Sequence, residues 1–185
     1  MTIAKQSKYK SWNNLKKQIE SFLCASLKSK ISFFYTSYHG VKNEYGRATI
    51  NYCKKEMIAF SWAETFTQKQ NISEEYNKIK IESFTSIDSE KNEGKYETLN
   101  NILIKEKWMP NGILSEVNFI NALTIYLKTD IKTSLHSDNY LLRTLAYLDR
   151  RVGKRTLIKI KDEVEKLPEW VKQFYILRCQ AENIC

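Results

Sequence analysis

Trp12, Leu15, Ile19, Phe22, Leu23 and Leu27 recur three and four residues apart, while Lys16, Lys17 and Lys28 fall off that stripe. The spacing predicts an amphipathic helix over 12–28, with Ser11 placed to cap it. Past residue 30 the pattern changes to strand-like segments. KISFFYTSYHG is β-branched and aromatic and ends at Gly40; GRATINYC and MIAFSW follow. These runs predict strands at 31–39, 46–53 and 57–62, the last two joined across Lys54, Lys55 and Glu56 by a hairpin turn that lacks the usual glycine. Links this short make the sheet antiparallel, with the helix packed on one face.

Residues 63–96 carry a weaker pattern. SEEYNKIKIESF fits a helix capped by Ser73, or a strand from Lys78 to Phe84, which the alternation of Ile79 and Ile81 favours. The polar stretch 86–96 has no apolar anchor and reads as a loop. From 97 the period is helical. Leu99, Ile102 and Leu103 share a face until Pro110-Asn111-Gly112 stops them. Ser115 caps a helix with the stripe Phe119, Ile120, Leu123, Tyr126 and Leu127, and a short helical turn holds Ile131 and Leu135. Ser137 and Asp138 are placed to cap a helix to about Val152. Leu157, Ile160, Val164 and Leu167 mark a further helix. Pro168, in a first-turn position, opens the last one, with Trp170, Phe174, Leu177 and Ala181 on its face. The predicted fold class is α+β: an N-terminal helix on a small three-stranded antiparallel sheet, followed by a helical C-terminal half. The two segments, 1–85 and 97–185, are expected to form one compact unit.

Composition supports a packed protein: of 185 residues 42% are apolar, with eleven Tyr, eight Phe and four Trp, which argues against disorder. No apolar run is long enough for a membrane span. The start MTIAKQSKYK has no apolar core of a secretory signal. The cysteines Cys24, Cys53, Cys179 and Cys185 show no CxxC spacing, so reduced thiols in the cytoplasm are expected, without a zinc site. The net charge of +9 is uneven: residues 1–60 hold 11 Lys/Arg against 3 Asp/Glu, 61–110 hold 7 against 9, and 111–185 hold 12 against 9. A basic surface favours a polyanionic partner, although abundant Lys, Asn and Ile also follow from a low-GC genome.

The most charged knot is LDRRVGKRTL, residues 148–157. On a helical wheel Leu141, Leu145, Leu148 and Val152 cluster on the core side. Arg143 and Arg150 then point outward, with Tyr147 between them and Lys154 continuing the line. Gly153 sits where a left-handed residue ends a helix without steric cost. Two readings of this corner stand together. Arg143, Tyr147, Arg150, Lys154 and Arg155 form a basic stripe for phosphates, arginine being suited by its two-pronged donor geometry. Alternatively the segment is structural, with Asp149 bonding the next helix or pairing with Arg155, and Gly153 making the turn.

LLRTLAYLDRRVGKRTL and PEWVKQFYILRCQAENI resemble an uncharacterised family of small bacterial proteins known mainly by a locus-tag-derived name. The likeness is close over 115–185 and looser before it. Its signature runs fall on Leu148–Arg155 and on Phe174, Tyr175, Arg178 and Glu182. The resemblance implies a bacterial or phage-borne intracellular protein and no particular activity.

Catalytic motifs are missing. The five glycines form no phosphate loop, and no GxSxG elbow occurs. His39 and His136 read as surface or capping residues rather than members of a triad. The helix–strand–strand–strand order is similar to the double-stranded-RNA-binding domain and to the restriction-nuclease core. AETFTQKQ lacks the lysine-rich motif of the first, however, and neither Glu56 nor Glu64 stands in the E-x-K of the second. The expectation is a basic intracellular protein that binds nucleic acid or another polyanion, with no cofactor, metal or catalytic residue. The alternative is an adaptor or inhibitor whose basic face meets an acidic protein. A nuclease is disfavoured.

Overall fold

The computed structural model describes residues 11–36, 46–61, 63 and 108–184. The elements run α1 (Trp12–Phe22), β1 (Ile31–Thr36), β2 (Arg47–Tyr52), β3 (Lys55–Ser61), α2 (Glu116–Tyr126), α3 (Ile131–Leu135), α4 (Tyr140–Leu148), α5 (Lys154–Lys159), α6 (Lys161–Val164) and α7 (Glu169–Ala181). This is the expected α+β order of helix, antiparallel sheet and helical C-terminal half. The choice between helix and strand after residue 63, the polar loop at 86–96 and the helix beginning at 97 lie outside the described residues, as do His39, Glu64 and Cys185.

The sheet has the order β1-β2-β3. Phe33 faces Ile50, and Ile50 faces Ile58 on the third strand. The period of two therefore builds one apolar face from Ile31, Phe33, Ala48, Ile50 and Phe60, all buried. The hairpin turn is Cys53-Lys54, since Tyr52 pairs with Lys55. Both turn residues take positive φ, 50° and 66°. Such backbones suit the right-handed twist of a two-residue hairpin, normally through Asn or Gly. Lys55 and Glu56 thus belong to the strand. A register shift beside Asn51 leaves Met57 as the extra residue of a bulge. Gly46 is needed just before β2: a Cβ there would lie 2.6 Å from the Thr36 carbonyl oxygen.

The inner face is covered chiefly by α2, whose Phe119 stacks on Phe60 at 4.8 Å and meets Phe33 at 6.3 Å. Ser115 starts α2 with a reciprocal cap: its hydroxyl accepts from Asn118 N, and the Asn118 side chain accepts from Ser115 N. Helix α1 lies beside it, burying Leu15 and Ile19 and setting Trp12 5.5 Å from Tyr35. It stops at Phe22 rather than running to 28, because Leu23 turns extended and bridges to Asp149. Leu27, buried in the turn that follows, keeps its inward place without the helix. Ser11 holds the N-cap position, though its side chain makes no cap bond.

In the C-terminal half, Asn139 rather than Ser137 or Asp138 caps α4. That helix ends at Leu148, short of the expected Val152, again because Asp149 is extended. The helix expected after Gly153 breaks at Ile160 into α5 and α6. Pro168 is the N-cap of α7 rather than a first-turn residue. Gly112 takes φ +70°, which ends the turn after Trp108 as a left-handed glycine. One hydrophobic cluster runs from Leu15 through the sheet to Cys179.

Candidate functional site

The corner between α4 and α5 is built around a buried carboxylate. Asp149 is 1% exposed. Its Oδ1 accepts from Arg151 N at 2.7 Å, and Oδ2 accepts from the Tyr126 hydroxyl at 2.6 Å and from Arg151 Nη2 at 2.7 Å. The Arg151 guanidinium lies over the Phe22 ring at 4.0 Å. Its hydrogen bond to Asp149 raises its affinity for the proton further. Burial, and then the bond to Asp149, push the Tyr126 hydroxyl well above its ordinary pKa.

Behind this pair stands Arg178, 2% exposed. Its Nη1 donates to the carbonyls of Asp149 and Tyr147, and Nη2 donates to that of Val152 at 3.0 Å. Glu182 sits 3.2 Å away as its counter-charge. Arg178 therefore takes up carbonyls that the end of α4 leaves without helical partners. On the other flank, Cys24 N donates to Leu148 O and Arg150 N donates to Phe22 O. The corner is the crossing point of α1, α2, α4 and α7.

The predicted stripe does not survive as one surface. Tyr147 is 1% exposed and packs edge-on against Tyr175 at 5.6 Å, so it offers no ring to a ligand. Burial pushes its pKa up to about 12. Arg143 has a side chain only 12% exposed; it pairs with Glu163 at 2.8 Å and donates to the carbonyls of Ser137 and His136. Both side chains are covered by the segments after Gly153, which a wheel of one helix does not contain. Arg150 and Lys154 fall beyond the end of α4, where 100° per residue no longer applies. Gly153 is also corrected. It has φ −78° and ψ 160° and serves as the N-cap of α5, a conformation open to any residue, with nothing within 4 Å of an added Cβ. Asp149 does anchor the corner, but through Arg151 and Tyr126 rather than through Arg155 or the next helix.

Of the stripe, Arg150, Lys154 and Arg155 remain exposed. Lys154 donates to the Glu182 carbonyl at 2.7 Å, leaving its charge unneutralised by a carboxylate. The fold adds cations that no local pattern grouped with them. The bridge from Leu23 to Asp149 sets the 24–30 turn beside the corner. Cys53 N donates to Lys30 O at 2.7 Å, which ties the hairpin tip to the same turn. Lys28, Lys30, Lys54 and Lys55 are exposed there. Among the described residues none of these lysines, nor Arg150 or Arg155, has a side-chain partner. The signal in the sequence was the basic excess of residues 1–60, not a motif.

Among the described residues no group of three or more His, Cys, Asp and Glu is placed to hold a metal ion. No helix among them is long and apolar enough to cross a membrane. Neither the curated proteins nor the solved structures contain a match to this chain. The model of the SF0329 protein family matches residues 11–179, and the chain belongs to that family.

Proposed function

We propose that the protein binds nucleic acid or a similar polyanion on the surface formed by the corner, the 24–30 turn and the hairpin tip. The observation that carries this reading is the pair of contacts at the two ends of the 24–30 turn, Cys53 N on Lys30 O at one end and the Leu23–Asp149 bridge at the other. It brings exposed cations from distant parts of the sequence onto neighbouring loops without matching carboxylates. Such a surface draws in a phosphate chain by counterion release, which needs many exposed charges and no catalytic group. Asp149 and Arg178 have the separate task of holding the loops. Four cysteines without CxxC spacing fit a protein of the reducing cytoplasm. The likeness of the C-terminal signature runs supports a bacterial or phage-borne origin.

Binding to a labelled oligonucleotide across a salt series tests the proposal. Arg150→Ala and Arg155→Ala should each lower the slope of log K against log salt by about 0.7–0.9 while leaving the fold intact. Full retention of the slope in the double variant removes the corner from the binding surface.

A further inference from the structure

Among the described residues the basic surface leaves one exposed aromatic without a role. On β1 Ile31 and Phe33 are buried, whereas Phe34, on the opposite face, is 49% exposed. Its neighbours on that face are polar and include an ion pair, in which Arg47 of β2 donates to both carboxylate oxygens of Glu56 on β3 at 2.8 Å. Ser32 and Thr36 flank it along the strand, Thr49 stands beside it on β2, and Asn51 stands beside Ser32. Along its own strand the ring is therefore flanked by small side chains, and across the sheet it meets the buried Thr49 and the Arg47–Glu56 pair. Lys30 ends the turn just before β1, and its carbonyl holds the hairpin tip through Cys53 N. Lys30 is four residues from Phe34, a span that a short run of nucleotides covers. Among the described residues β1 lies at the edge of the sheet.

We infer that this face takes single-stranded nucleic acid, with a base stacked on Phe34 and the adjoining phosphates held by Lys30 and Lys54. The inference rests on the polyanion reading and narrows it. A duplex hides the faces of its bases, whereas a single strand can offer one to an exposed ring. Charge complementarity selects the phosphate chain, and the aromatic selects the unpaired base.

Fluorescence anisotropy with short single-stranded RNA and DNA, the matching DNA duplex and inorganic polyphosphate as competitor tests it. The wild-type chain should bind a single strand more tightly than the duplex. Phe34→Ala should weaken single-strand binding by about tenfold or more, with polyphosphate competition and duplex binding unchanged. Phe34→Tyr should restore the affinity, and Lys30→Ala should lower the salt slope for every ligand. If Phe34→Ala leaves single-strand binding intact, or weakens all ligands equally, the stacking face is refuted while the basic surface stands. Binding of duplex and polyphosphate as tight as that of a single strand refutes it in the same way. Failure of the wild-type chain to bind any of these polyanions refutes the broader reading.

Discussion

Gly153 and Gly46 differ in what their missing side chains do. Gly153 is an N-cap in ordinary extended backbone with open space around its Cα. A hydroxyl there would accept from the first turn of α5, and the unfolded chain would lose entropy. Gly153→Ser should thus be neutral or stabilising by up to about 1 kcal/mol. Gly46→Ala should destabilise by about 2 kcal/mol, because its Cβ would press on a backbone oxygen that cannot turn aside. Urea unfolding of the two variants checks both signs. Tyr147 provides a prediction in pH. Its folded pKa, raised by burial to about 12, exceeds the unfolded value near 10. The resulting stability is complete below pH of about 10 and is lost as pH rises through about 12, a change of order 2 kcal/mol. Thermal melts of Tyr147→Phe should fall less steeply over that window than those of the wild type.

Among the elements, α7 fastens the corner through a single side chain. Arg178 serves carbonyls of Tyr147, Asp149 and Val152 with one planar fork. Lysine would carry the same charge but could not span these acceptors, so Arg178→Lys should cost about 2–3 kcal/mol. Chemical denaturation measures this, and a shift below about 0.5 kcal/mol would show that water replaces the fork. The same junction explains what local patterns could reveal. Strand pairing and the stripe of α2 were legible because each depends on neighbours within a few residues. The ends of α1 and α4 were not, because Leu23 and Asp149 turn extended and lie opposite each other, their neighbours Cys24 and Arg150 donating across the chain to Leu148 O and Phe22 O. The exposure of Tyr147 was misread for a related reason: Tyr175, which covers it, belongs to another helix. Arg150 and Arg155 were identified as exposed cations, but their lysine neighbours on the 24–30 turn and hairpin needed the fold to find them.

The molecule as a whole is closed by a contact between its early and late parts. The apolar cluster joins α1 and the sheet to α2, α4 and α7, and the bridge between Leu23 and Asp149 lies where those parts meet. During synthesis α1 is made first, and its terminal groups at Phe22 and Cys24 have no partner until residues 148–150 leave the ribosome. Arg178, which steadies the corner, comes later still. At roughly 5–20 residues per second the wait is on the order of ten seconds. Until residue 119 emerges, the inner face of the hairpin, with Phe33, Ile50 and Phe60, is also without the α2 ring of Phe119 that later stacks upon it. The newborn chain is therefore open to self-association while that face is bare, and a truncated product ending before α7 would still leave Tyr147 without Tyr175 and the carbonyls of the corner without Arg178.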